Sequence, residues 1–166
     1  MIYKNNKLMD LDGVKGDYIS DIEIKKLRKI PDERGTIYHM LRNDDEFFKT
    51  FGEIYFSTVH PQVVKGWHLH TLMTLNYAVI DGMIKLVLYD ERKDSETQGN
   101  IMEIFVGEEN YMLIKIPPHI WNGFKGIGEK KAIVANFSSI AHDPKEIFRK
   151  DPFTEDIPYD WMIKHE

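Results

Sequence analysis

The chain has 166 residues, a formal net charge of -5 and no cysteine, which excludes disulfides and thiolate chemistry and argues against nucleic acid as a partner. Hydrophobic residues make up 42% and aromatic residues 12%, as expected for one folded domain over residues 1–166. No apolar run is long enough to cross a membrane, so we expect a cytoplasmic protein without a membrane partner.

The first fifty residues predict an arm, a hairpin and one short helix. Residues 1–21 carry turn signals and predict an arm or an edge strand. Residues 22–30 predict a strand that stops at a proline, followed by a tight turn at Asp32–Gly35 and a second strand from Thr36. Acidic residues followed by three phenylalanines predict a short helix over Asp44–Phe51.

From residue 52 onward the sequence predicts a series of short strands. Each is four to seven residues long, rich in β-branched and aromatic residues, and bounded by Gly, Pro, Asp or Asn, a pattern typical of a sandwich or barrel. Asp81-Gly82 between two apolar runs predicts a hairpin turn. The predicted strands are Glu53–Val59, Val64–His70, Thr74–Ile80, Met83–Tyr89, Ile101–Val106, Tyr111–Ile116 and Lys131–Phe137.

Two histidines in the second of these strands are the strongest chemical signal. Residues at i and i+2 of a strand point to the same face, so His68 and His70 project side by side while Trp67 and Leu69 point into a packing layer. Imidazoles bind metals and titrate near neutral pH, so the pair suits either metal ligation or proton transfer.

The spacing of this pair resembles the first motif of the cupin family. The motif's glutamate is replaced by Leu75, and the histidine of the second motif is replaced by Asn122 in the run Pro117-Pro118-His119-Ile120-Trp121-Asn122. Two imidazoles fall short of the three or four protein ligands that a metal site requires. We therefore expect no metal and no other cofactor.

Over residues 22–161 the chain resembles the dTDP-4-dehydrorhamnose 3,5-epimerases, which are metal-free cupins. The matching motifs are Asp32-Glu33-Arg34-Gly35, Lys65-Gly66-Trp67-His68, the segment from Ile116-Pro117-Pro118 to Gly123-Phe124, and Lys150-Asp151-Pro152 with Pro158-Tyr159-Asp160-Trp161. The resemblance implies an all-β, cupin-type double-stranded β-helix (jelly roll) with one or two short helices. It also implies a homodimer, often formed by exchange of N-terminal strands.

The same resemblance implies roles for individual residues. His68 would abstract the proton next to the C4 ketone of a nucleotide-diphosphate 4-keto-6-deoxy sugar, and Asp151 would hold its imidazole. Arg34 would contact the diphosphate, and Lys65 would join it only if Gly66 allows a β-bulge. His70 is an auxiliary catalytic candidate. Further candidates for substrate contact are His39, His119, Trp121 and Asn122.

The chain departs from the epimerase pattern at several positions. The family's general-acid tyrosine falls in the region of Ser138-Ser139-Ile140, its lysine at Leu75, and its early glutamate at His39. Two alternatives stay open. The Gly-x-His-x-His strand also resembles sugar nucleotide 3,4-ketoisomerases, in which both histidines carry protons, and a third reading is a non-catalytic cupin that binds a sugar nucleotide.

Overall fold

The computed structural model describes residues 1–163, which are built almost entirely from β-strands. A 3-10 helix at Asn5–Asp10 is the one helix in this range. The strands are β1 (Ile2–Lys4), β2 (Val14–Gly16), β3 (Glu23–Lys26), β4 (Lys29–Asp32), β5 (Gly35–Tyr38), β6 (Glu53–Val59), β7 (Val64–His70), β8 (Leu75–Asp81), β9 (Met83–Asp90), β10 (Ile101–Gly107), β11 (Met112–Ile116), β12 (Ile120–Gly126), β13 (Ala132–Ser138) and β14 (Ile147–Arg149).

Two six-stranded antiparallel sheets pack against each other. The first has the order β1-β3-β11-β8-β13-β6 and the second the order β14-β7-β12-β9-β10-β2, while β4 and β5 form a separate hairpin. Alternate residues of both sheets, such as Leu75 and Val79 of β8 and Leu86 and Leu88 of β9, form the main core. The predicted cupin-type jelly roll is confirmed.

A second apolar cluster covers the outer face of the second sheet. Trp67 and Trp121 pack there with Trp161 from the C-terminal segment, and all three side chains are buried. Large aromatic side chains contribute strongly to packing. This cluster fixes the back of β7, so the alternate residues of that strand face the space between the sheets.

Several predicted elements are confirmed with small shifts of their ends. Strands β6 and β7 have the predicted bounds, and Gly82 makes the hairpin turn between β8 and β9 with a φ of 72°. Strand β12 was not predicted, because its glycines and its Asn122 weaken the strand pattern.

The helix predicted at Asp44–Phe51 is wrong. Two successive turns occupy the segment, with Asp45 N–H bonded to the Arg42 carbonyl and Phe48 N–H bonded to the Asp45 carbonyl. The Asp45 side chain also accepts a hydrogen bond from the Phe47 N–H at 3.2 Å, which competes with helix formation. The ring of Phe47 is buried and anchors the turns.

The N-terminal segment packs against its own chain. Strand β1 pairs with β3, β2 pairs with β10, and Leu8 and Ile19 are fully buried in the main core. No helix among the described residues is both long and apolar enough to span a membrane.

Candidate active site

Strands of both sheets enclose a cavity of about 430 Å³. Strands β7, β12 and β14 of the second sheet form one wall, and β6, β8 and β13 of the first sheet form the other. The lining side chains are mostly polar or aromatic: Glu53, Tyr55, Ser57, Lys65, His68, His70, Met73, Tyr77, Phe124, Val134, Asn136, His142, Ile147 and Arg149.

His68 and His70 both line this cavity, as positions i and i+2 of a strand should. The intervening strand positions point the other way, and Trp67 is 1% exposed in the outer aromatic cluster. The structure therefore presents two imidazoles on one wall.

A β-bulge at Gly66 brings Lys65 to the same wall. Strand β12 pairs Asn122 with His68 but Phe124 with Lys65, so Gly66 and Trp67 together face the single residue Gly123. A Cβ on Gly66 would lie 2.9 Å from the Gly123 Cα, which explains the need for glycine. The Lys65 ammonium donates to the Ser57 hydroxyl at 2.6 Å and so connects the two walls.

His70 forms a buried pair with a carboxylate that the sequence analysis did not identify. Its Nδ1 is hydrogen-bonded to Oε1 of Glu146, and both side chains are almost fully buried. Oε2 of Glu146 accepts bonds from the N–H groups of Thr71, Leu72 and Met73. Burial raises the pKa of Glu146, but the His70 and backbone hydrogen bonds outweigh it and lower that pKa. This pair fixes the His70 ring.

His68 has a different environment, which keeps its ring neutral. Burial is the largest of the causes that lower its pKa from 6.5 to about 4, and the positive charges of Arg149 and Lys65 act in the same direction. Arg149 stands directly opposite His68 in the pairing of β14 with β7. A neutral imidazole beside two cationic side chains can accept a proton while the cations bind an anion.

The wall opposite the histidines carries a polar row, which we define as Tyr55, Asn136 and Tyr77. Asn136 of β13 is paired with Tyr55 of β6 on one side and with Tyr77 of β8 on the other, so the three side chains share one face. Burial raises the pKa of Tyr55, which the Asn136 amide partly opposes and Glu53 reinforces. Burial and Tyr55 raise the pKa of Tyr77. Both phenols therefore stay protonated.

The remaining predicted residues lie at varying distances from the cavity. Asn122 is buried beneath His68, where it donates to the His68 carbonyl at 3.0 Å and is placed to accept from the Tyr77 hydroxyl at 3.4 Å. Trp121 points to the outer cluster and donates to Glu91 at 2.6 Å. The exposed His119 donates its backbone N–H to the His70 carbonyl at 2.7 Å.

Asn122, Trp121 and His119 are not part of the cavity lining, and three further predicted residues also lie outside it. Asp151 is exposed, and its carboxylate accepts from the Phe153 N–H at 2.8 Å, so its role as the partner of His68 stays a prediction. Arg34 sits at the exposed tip of the β4–β5 hairpin, paired with Asp32 at 2.6 Å. His39 lines a separate groove beside Met1 and the hairpin. Residues 1–163 contain no group of three His, Cys, Asp or Glu side chains placed to hold a metal ion.

The chain matches known proteins along most of its length. The family model described as dTDP-4-dehydrorhamnose 3,5-epimerase matches residues 17–165. The chain is 35% identical over 144 residues to the probable low-salt glycan biosynthesis epimerase Agl13 of Haloferax volcanii, covering 86% of this chain and 89% of that protein. It is 31% identical over 142 residues to the spore coat polysaccharide biosynthesis protein SpsL of Bacillus subtilis, covering 86% and 91%.

Solved structures agree with the sequence comparison. The crystal structure of a dTDP sugar isomerase from Desulfovibrio desulfuricans G20 superimposes with a TM-score of 0.85 at 43% identity, covering 86% of this chain and 92% of that one. The family model matches nearly the whole chain, and two relatives are more than 30% identical to it. The similar solved structure shares its fold. The chain therefore belongs to the dTDP-4-dehydrorhamnose 3,5-epimerase family and is a sugar nucleotide epimerase.

Proposed function

We propose that the protein epimerises a nucleotide-linked 4-keto-6-deoxy sugar at C3, C5 or both, with His68 as the base. The observation that carries this proposal is the neutral His68 ring on one wall of a cavity whose other wall holds protonated donors. The names of the Haloferax and Bacillus relatives support a place in the synthesis of surface glycans or polysaccharides. Because the substrate is an activated sugar nucleotide, we propose that the reaction runs in the cytoplasm.

The proposed reaction begins with removal of a proton from the carbon next to the ketone. The C–H bond breaks, His68 takes the proton, and the electron pair moves onto the carbonyl oxygen as an enolate. Inversion then requires a proton from the other face of the sugar. Tyr55, which is protonated and stands on the wall opposite His68, is the proposed donor.

Binding of the diphosphate is assigned to the cations of the cavity. Lys65 and Arg149 flank His68 and would neutralise phosphate charge at the cavity. Arg34 lies outside the cavity of its own chain, on a projecting hairpin whose Ile37 is 61% exposed. We propose a homodimer in which this hairpin brings Arg34 to the cavity of the other copy. The exposed apolar side chains of edge strand β6 support such an interface.

A 3,4-ketoisomerase is the second candidate function. It is favoured by the His70–Glu146 pair, which presents an oriented second imidazole in the same cavity. Two adjacent imidazoles could carry a proton between neighbouring carbons. The two candidates differ in the carbons whose hydrogens exchange with solvent.

Isotope exchange tests the proposal and separates the two candidates. The protein is incubated in heavy water with dTDP-4-keto-6-deoxyglucose, and the sugar is analysed by mass spectrometry and NMR. We expect deuterium at C3, C5 or both, with inversion of configuration there. Formation of a 3-keto sugar with no label at C5 would support the isomerase instead, and a sugar that stays unlabelled and unchanged would refute both.

A further inference from the structure

One polar side chain of the cavity has an unused hydrogen-bond donor. Asn136 is 1% exposed, and its Nδ2 meets no acceptor with hydrogen-bond geometry among the described residues, although the amide lies close enough to the Tyr55 hydroxyl to oppose the rise in the pKa of that phenol. Leaving a buried donor unsatisfied costs about 1–3 kcal/mol, so such groups in native proteins call for an explanation. A ligand acceptor in the cavity would supply the missing partner.

The orientation of this amide is fixed by the neighbouring strand. Its Oδ1 accepts a hydrogen bond from the Asn76 backbone N–H at 3.2 Å. An amide has one oxygen and one nitrogen, so this bond assigns the oxygen to β8 and leaves both Nδ2 hydrogens to other partners. The side chain lines the cavity on the wall that faces the histidines. The donor is therefore held in position before any ligand arrives.

We propose that the Asn136 amide donates a hydrogen bond to the carbonyl oxygen of the bound sugar. This inference rests on the proposed function, because it concerns the oxygen that becomes the enolate when His68 removes a proton. The negative charge then develops at a fixed, buried donor flanked by the two protonated phenols of the polar row. Preorganised donors of this kind stabilise an oxyanion without reorganising during the reaction.

This role would compensate for the lysine that the family resemblance leads us to expect and that this sequence lacks. Leu75 occupies the position at which the family resemblance placed a lysine near the ketone, and Leu75 is buried in the apolar core. A neutral amide also leaves the pKa of His68 undisturbed, whereas a further cation in the cavity would lower it. The neutral Asn136 amide can thus donate a hydrogen bond without making His68 a weaker base.

The test replaces the amide with an apolar side chain of similar size. Asn136→Leu is compared with Asn76→Leu, which removes another buried amide from the adjacent strand on the opposite face of the sheet, outside the cavity. We expect Asn136→Leu to slow deuterium exchange into dTDP-4-keto-6-deoxyglucose about 100- to 1,000-fold while the Kd for dTDP changes less than about threefold. Asn76→Leu should lower stability without comparable loss of exchange.

Vibrational spectroscopy separates a donor from a merely structural residue. The carbonyl stretch of the bound keto sugar should lie at lower frequency in the wild-type protein than in Asn136→Leu, because a hydrogen bond weakens the carbonyl bond. Asn136→Ala serves if the leucine variant does not fold. Variants that bind dTDP, exchange at the wild-type rate and leave the stretch unmoved would overturn the inference alone. A wild-type protein without exchange would overturn the proposed function and the inference with it.

Discussion

His68 and His70 are two residues apart on one strand, yet their surroundings give them different properties. Glu146 holds the ring of His70 from behind, whereas His68 faces the cavity between two cationic side chains. A fixed ring suits an auxiliary role, and a neutral ring near cations suits a base that acts on an anionic substrate. The difference arises from β14 and the loop before it, which supply both Arg149 and Glu146.

The pH dependence of the reaction should reflect the lowered pKa of His68. Protonation of a base whose pKa has fallen from 6.5 to about 4 begins only in acid, so the acidic limb of kcat/KM should lie well below pH 6.5. In the substrate complex, the negative charge of the diphosphate offsets the positive charges beside His68 and raises its pKa. The acidic limb of the kcat profile should therefore lie at higher pH than that of kcat/KM. Steady-state rates between pH 4 and 8 check both limbs, with activity after return to neutral pH as the control for unfolding.

Arg149→Gln gives a matched control for this assignment. Removing one positive charge beside His68 favours its protonated form, so the limb of kcat/KM should shift toward higher pH. A wild-type limb at or above pH 6.5 that the variant does not move would contradict the assigned base.

At the scale of elements, β7 shows which features can be read from the sequence. Its bounds and the direction of its histidines follow from the alternation of residue types. The partners of those histidines do not, because Glu146 is 76 residues from His70 and the polar row depends on the pairing of β13 with two other strands. No pattern along the chain marks Tyr55 or Asn136, since cross-strand register is set by tertiary packing.

The bulge in β7 predicts a steric effect of Gly66→Ala. The added methyl group would meet the Gly123 Cα at 2.9 Å, so the strands must separate and Lys65 must shift from the cavity. We expect a loss of roughly 1–3 kcal/mol in the free energy of unfolding, measured by urea denaturation, and weaker dTDP binding. Gly128→Ala is the control, because a Cβ there would lie 3.8 Å from its nearest neighbour, the Met83 backbone nitrogen. This variant should change the free energy of unfolding by less than about 0.5 kcal/mol. Equal stability of the two variants would show that the bulge tolerates a side chain.

At the scale of the whole molecule, one chain forms the cavity between its own two sheets, and the hairpin that carries the exposed Arg34 contributes no residue to that cavity. The proposed homodimer predicts that each cavity is completed by the other copy. Light scattering should give twice the mass of the chain, and Arg34→Ala and His68→Ala should each be nearly inactive alone. After subunit exchange in an equal mixture, about a quarter of the wild-type activity should return, because mixed dimers contain one intact site. A monomer, or no recovery, would contradict the shared site.

The most direct test of the account is solvent deuterium exchange catalysed by His68→Ala. With dTDP-4-keto-6-deoxyglucose in heavy water, removal of the base should slow exchange at C3 and C5 by about 100- to 10,000-fold. Binding of dTDP should be retained, and His60→Ala, which removes an exposed ring outside the cavity lining, should exchange at the wild-type rate. Exchange by His68→Ala at the wild-type rate would contradict the central claim that His68 is the base.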